Sequence, residues 1–133
     1  MESGRKFLTR AGKGREGEEK AADYLQGKGY GILARNFHSR TGELDIVAVK
    51  DGTVAFIEVK SWRVFGRSDL EYSIGGNKRR RIRTAARLFL AKHPWLEGMR
   101  IRFDVILLRC ESPGEGVLHI ENAFSGAVSE WSG

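Results

Sequence analysis

The sequence predicts an α/β domain in which a mixed β-sheet is flanked by helices. Three observations carry that expectation. Runs with helical spacing of apolar residues alternate with short runs rich in β-branched residues. An Asp51-Gly52 pair joins two of the strand-like runs. A largely apolar run near the C-terminal end, at 101–109, reads as a strand buried between layers. In order, the elements are helix, three strands, helix, two strands, which is αβββαββ. A chain of 133 residues is the size of one ordinary domain, and no internal repeat divides it. The expected organisation is a flexible basic segment at 1–13 followed by a single domain at 14–133.

The first helix is placed at 14–28. Ala21, Ala22, Tyr24 and Leu25 share a face there, and Glu16, Glu18 and Glu19 stand in its opening turns, where the helix dipole favours anions. Gly27 and Gly29 end it, and 30–36 reads as a strand. Two further strands, 43–50 and 53–60, flank Asp51-Gly52, whose residues suit the positive φ angles of a two-residue hairpin turn. After a turn-rich stretch at 61–76, Ile82, Ala85, Ala86 and Phe89 mark the core face of a second helix. Asn77 is its expected N-cap, and Pro94 limits its end. The strand at 101–109 then leads through Ser112-Pro113-Gly114-Glu115-Gly116 to a last strand at 117–122.

A two-residue loop at Asp51-Gly52 pairs Lys50 with Thr53 and, counted back, sets Ile46 opposite Ile57, Asp45 opposite Glu58, and Glu43 opposite Lys60. Strict alternation then projects Glu43, Asp45, Glu58 and Lys60 from one face, with Leu44, Ile46, Ala48, Ala55, Ile57 and Val59 on the other. Carboxylates facing one another across a ladder repel, so the arrangement costs stability unless a positive charge lies between them. A divalent cation with hard-oxygen preference, Mg²⁺ or Mn²⁺, meets that need, and a phosphodiester would complete its shell. Lys60 could stabilise charge developing on phosphorus or help to position water. The plainer alternative is a solvated ion-pair cluster. Against it, Val47, Val49, Val54 and Phe56 lie on the same face and call for a covering layer.

The chain is basic, with a formal charge of +6 and a pI near 9.8. Such a balance favours a polyanionic partner, because neutralising phosphates releases counterions. Five cations lie within 78–83 without an acid among them. Lys78, Arg80, Arg83 and Arg87 are the candidate nucleic-acid contacts on the second helix, opposite Ile82, Ala86 and Phe89. Trp62, Arg63, Phe65, Arg67 and Tyr72 could stack on a nucleic acid or pack in the core. Arg102 and Asp104 are expected to form a structural ion pair, and His119 and Asn122 to link the last strand to the body. No apolar run is long enough to span a membrane or to serve as a secretory signal, and the lone Cys110 forms no internal disulfide; a cytoplasmic location is expected.

Asp45 followed by Glu58-Val59-Lys60 at the end of a hairpin strand resembles the restriction-endonuclease superfamily, the PD-(D/E)xK nucleases. The resemblance extends along Gly17-Glu18, Ala21, Tyr24-Leu25, Gly29-Tyr30, Arg35-Asn36, Gly42-Glu43, Asp45-Ile46-Val47-Ala48, Arg102-Phe103-Asp104-Val105, His119-Ile120 and Asn122-Ala123-Phe124. Over most of its length the chain thus resembles the YraN-like family of small bacterial proteins. Its front half is also similar to archaeal Holliday-junction resolvases, where a glutamate on the first helix joins the metal site; Glu18 occupies the corresponding place. The superfamily's Pro-Asp element is absent as such, since Leu44 precedes Asp45. The resemblance implies a restriction-endonuclease-like fold with Asp45, Glu58 and Glu18 as metal ligands and Lys60 beside them. It implies an Mg²⁺-dependent endonuclease acting on DNA, before RNA, with branched or single-stranded intermediates as substrates and a homodimer or a DNA-processing protein as partner. A non-catalytic nucleic-acid-binding module and a partner-dependent component remain alternatives.

Overall fold

A computed structural model describes residues 10–62, 75–109 and 116–126, with side chains for 16–60, 75–108 and 116–126. The elements follow the expected order: α1 (Arg10–Gly27), β1 (Gly31–His38), β2 (Glu43–Lys50), β3 (Thr53–Trp62), α2 (Gly76–Lys92), a 3-10 turn (Pro94–Leu96), β4 (Arg100–Arg109) and β5 (Val117–Phe124). The readings made for the N-terminal segment before Arg10, the aromatic side chains of Trp62, Phe65 and Tyr72, Cys110 and most of the turn at 112–116 lie outside the described residues.

The five strands lie side by side in chain order, antiparallel except for the parallel β3–β4 pair. α2 supplies the crossover that a parallel pair requires. Asp51 (φ 47°) and Gly52 (φ 76°) both take left-handed conformations, as a two-residue turn of this hand demands. That turn sets the β2–β3 register, which runs from Lys50↔Thr53 to Ile46↔Ile57 as the sequence predicts.

Alternation along the strands creates two apolar layers. On one side, Ala21, Ala22 and Leu25 of α1 pack on Ile46, Ala48, Ala55, Ile57, Ile106 and Leu108. On the other, Ile82, Ala85, Ala86 and Phe89 of α2 pack on Val47, Val54, Phe56, Phe103, Val105 and Leu107. The sheet is therefore sandwiched between the helices, consistent with a restriction-endonuclease-like arrangement. Among the described residues no helix is long and apolar enough to cross a membrane.

Three expectations need correction. Leu44 packs in the α2 layer with Val47, not with Ile46 and Ala48. The side-chain alternation of β2 thus breaks at Asp45, and β1 breaks beside it. Asn36, which faces Asp45 between the pairs Arg35↔Ile46 and Phe37↔Leu44, has φ 53°, and Ala34 and Phe37 both contact the α2 layer. A left-handed residue re-aims the chain, so the expected single face for Glu43, Asp45, Glu58 and Lys60 does not form by simple alternation. Second, α1 begins at Arg10, which leaves its first turn without acids and moves Glu16, Glu18 and Glu19 away from the dipole's positive end. Third, α2 is preceded by Gly75 with no side-chain cap, and Asn77 Oδ1 instead accepts a hydrogen bond from Arg80 at 2.8 Å.

Candidate acidic site at the end of the sheet

Asp45, Glu58 and Glu18 are supplied by three different elements. β2 begins and β3 ends on the same side of the sheet, where the ladder between them stops at Ile46↔Ile57. Beyond that pair the Asp45 side chain enters the space between the strands, and its Oδ2 accepts the Val59 backbone N–H at 2.8 Å. Glu58 has the same parity as Phe56 and so turns towards α2, where Lys78 Nζ stands 3.4 Å from its Oε2. Glu18 approaches from α1 on the other side. It is only 6% exposed, and its Oε1 accepts a hydrogen bond of 2.7 Å from Asn36 Nδ2. Asn36 therefore both breaks the alternation and orients a carboxylate.

The electrostatics of this group are unfavourable to full ionisation. Burial and then the neighbouring Asp45 push the Glu58 carboxyl up to about 7, against the opposing pull of Lys78 and, to a lesser extent, Lys60. Burial, followed by the charge of Asp45, raises Glu18 to about 6, while Arg35, Asn36 and His38 oppose the rise. Asp45 is also raised by burial, despite the Val59 N–H, the charge of Lys78 and a hydrogen bond shared with Glu58. Neighbouring buried carboxyls resist ionising together, and Lys78 at 3.4 Å from Glu58 supplies part of the opposing charge.

The donor set is hard oxygen, suited to Mg²⁺ or Mn²⁺. Asp45 and Glu58 are the pair that could hold such a cation, with Glu18 reaching the group through Asp45. Among the described residues, no three His, Cys, Asp or Glu side chains gather closely enough to bind a metal by themselves. That arrangement leaves coordination positions to water or a phosphate, as is common for Mg²⁺. Lys60 is exposed at the rim, and Glu43 pairs with His38 at 3.1 Å beside the group, where its charge adds to the rise at Asp45.

Sequence reasoning missed Lys78 as a member of this site. Positions 78, 82, 85 and 89 follow the i, i+4, i+7, i+11 spacing of one helix face, so a lysine heading an otherwise apolar core stripe was the available signal. The expected basic stripe is also altered. Arg80, Arg81 and Arg87 are exposed, but Arg83 is 5% exposed; its Nη1 donates to the Ser125 carbonyl at 2.9 Å, and its guanidinium lies 5.9 Å from the Phe124 ring centre. The buried arc of α2 is wide enough to include position 83, which makes Arg83 a fastening for the chain after β5 and not a surface contact.

A second acidic centre lies inside the sheet. Asp104 is 1% exposed and accepts hydrogen bonds from Arg102 Nε (2.9 Å) and Nη2 (2.9 Å) and from the Asn122 backbone N–H (3.0 Å). His119 Nε2 lies 2.8 Å from its Oδ2, and Arg102 also donates to the Tyr30 hydroxyl. Burial pushes the Asp104 carboxyl up, but the bonds from His119, Arg102 and Asn122 outweigh it and hold the group below its ordinary range. The ion pair and the polar links expected from Arg102, Asp104, His119 and Asn122 are present.

Comparison with known proteins places this geometry in a family. The profile of the uncharacterised protein family UPF0102 matches residues 17–108, a span that contains Glu18, Asp45, Glu58, Lys60 and Lys78. The chain is 43% identical over 112 residues to a UPF0102 protein of Persephonella marina, covering 84% of this chain and 92% of that protein. It is 39% identical over 115 residues to one of Treponema pallidum, with coverages of 84% and 91%, and 43% identical over 108 residues to one of Syntrophomonas wolfei, with coverages of 81% and 93%.

Proposed function

The chain belongs to the uncharacterised protein family UPF0102, and from that premise we propose that it is a divalent-cation-dependent endonuclease-like protein that hydrolyses phosphodiester bonds in DNA. One observation carries the reading: the carboxyl groups of Glu18, Asp45 and Glu58 approach one another from α1, β2 and β3 in a chain of net charge +6, and burial raises all three, with the charge of Asp45 adding to the rise at Glu18 and Glu58. A protein that needed these residues only for folding would be more stable with neutral ones. Mg²⁺, or Mn²⁺ in its place, would be held by Asp45 and Glu58, with Glu18 beside them, and would supply Lewis-acid stabilisation of charge on a phosphodiester oxygen.

The chain's own residues set the remaining geometry. The Val59 N–H fixes the Asp45 carboxylate, and Asn36 fixes that of Glu18. Lys60 at the rim and the exposed Arg80 and Arg87 of α2 provide positive charge for the backbone of a nucleic acid. Branched and single-stranded DNA are the substrates to try first, beside duplex.

The test is incubation of the purified protein with labelled branched, single-stranded and duplex DNA in Mg²⁺ or Mn²⁺, with Asp45→Ala alongside. Cleavage by the parent protein should fall by on the order of 10²-fold or more in the variant. Equal cleavage by both proteins would point to a contaminating nuclease and sink the assignment. A second reading, a non-catalytic nucleic-acid-binding module, is favoured by the absence of a three-ligand group among the described residues. It expects salt-sensitive binding that is unchanged by Asp45→Ala and no cleavage by either protein. Cleavage that emerges only with an added DNA-processing protein would instead mark a partner-dependent component.

A further inference from the structure

Lys78 has a position that neither core packing nor a surface role accounts for. It heads the inward stripe of α2, followed by Ile82, Ala85 and Phe89, all of which are buried. Its helix is held close to the β1–β2 turn: a Cβ on Gly42 would stand 2.2 Å from the Arg81 carbonyl oxygen, so only glycine permits this approach. Two independent packing constraints thus aim Lys78 at Glu58.

The contact itself is loose. At 3.4 Å the Lys78–Glu58 pair is longer than a charge-assisted hydrogen bond of about 2.7–2.9 Å. The lysine side chain is 41% exposed, whereas that of Glu58 is 10% exposed, so the ammonium stands at the mouth of the site with the carboxylate behind it. A lysine carries its charge on a flexible four-carbon stem and can turn outward without moving the helix. A divalent cation bound to carboxylate oxygen at about 2.0–2.1 Å would compete with the ammonium for the same electrons and repel it.

We propose that Lys78 is a resident counter-ion that a divalent cation displaces from Glu58, and that the displaced ammonium then contacts a phosphate of the bound nucleic acid. The proposal rests on the cation site described under the proposed function and assigns that site a built-in competitor. Lys60 does not fill this role, because it is exposed at the rim and bears on Glu58 less than Lys78 does.

The experiment is a titration with MnCl₂ alone, followed by calorimetry and thermal melting, on the parent chain, Lys78→Gln and Lys78→Arg. Loss of the competing charge should tighten Mn²⁺ binding by about fivefold or more in Lys78→Gln, while Lys78→Arg should stay near the parent. Binding of a labelled DNA duplex is then followed against salt concentration, once in Ca²⁺ and once in EDTA. In Ca²⁺ the salt dependence of Lys78→Gln should fall by about one phosphate contact, and in EDTA it should match the parent. Mn²⁺ binding by the parent that is no weaker than in Lys78→Gln overturns the counter-ion role but leaves the cation site standing. An unchanged salt dependence in Ca²⁺ overturns the phosphate contact. Absence of Mn²⁺ binding in all three proteins overturns the proposal together with the cation site beneath it.

Discussion

Asp104 and the Glu18–Asp45–Glu58 group are two ways of placing carboxylates in the same sheet. Around Asp104 the fold has assembled Arg102, His119 and the Asn122 backbone N–H, and the carboxyl is held below its ordinary range despite complete burial. Asp45 receives one backbone N–H and faces another carboxyl, and all three members of its group are raised. Burial is common to both centres. The supply of donors is what differs, and it separates a carboxylate that holds the fold together from a set that burdens it. Such a burden is consistent with residues retained for a ligand that supplies the missing charge.

The comparison can be broken most severely at Asp104. Replacing it with alanine would remove the main partner of the half-buried Arg102, of His119 and of a backbone N–H, and is expected to cost about 3 kcal/mol in urea denaturation. A loss below about 1 kcal/mol would show that the network is not holding β4 to β5. The acidic group should respond with the opposite sign. In EDTA, Glu58→Gln is expected to stabilise the protein by on the order of 1 kcal/mol, because it removes a carboxyl raised by burial and by Asp45. The same variant should lose the rise in melting temperature that Mn²⁺ gives the parent. Destabilisation in EDTA would mean that the Lys78–Glu58 pair outweighs the repulsion.

The two centres were not equally legible in the sequence. The Arg102–Asp104 pair lies at i, i+2 on one strand, and the register that positions Ile46 against Ile57 follows from Asp51-Gly52, because a two-residue turn leaves one pairing. The element order was readable for a similar reason: each helix has a core stripe and each strand a short run with apolar residues. Asp45 escaped the period-two rule because Asn36, a residue on the neighbouring strand, adopts a positive φ and breaks alternation in both strands. A single-strand pattern contains no signal for that event. Glu18 was assigned by resemblance, since helical spacing alone could not choose it over Glu16 or Glu19. Arg83 was misplaced because a helix packed between a sheet and the residues that follow β5 buries a wider arc than an amphipathic stripe suggests.

The finest discrimination between the centres is their pH dependence, which should run in opposite directions. Glu58 and Glu18 stand at about 7 and about 6 in the folded protein, against an ordinary 4.5, so above 4.5 the folded chain keeps protons that the unfolded chain has already released. Stability from this source is fully present below pH 4.5 and is lost as the pH rises towards 7. Asp104 is held below its ordinary 3.8, so its contribution is present above that value and is lost as the pH falls through the lowered one. In EDTA the two should combine into a maximum on the acid side, with a decline of on the order of 1 kcal/mol towards neutrality, read as urea midpoints from about pH 2 to 8. Mn²⁺ favours the ionised carboxylates and should flatten the neutral limb, and Glu58→Gln should shrink it without metal to the part that belongs to Glu18. The acid limb should persist in both cases, because it belongs to Asp104. A neutral limb that is flat in the parent protein in EDTA would show that the three carboxyls carry no electrostatic burden, which removes the physical ground for treating them differently from Asp104.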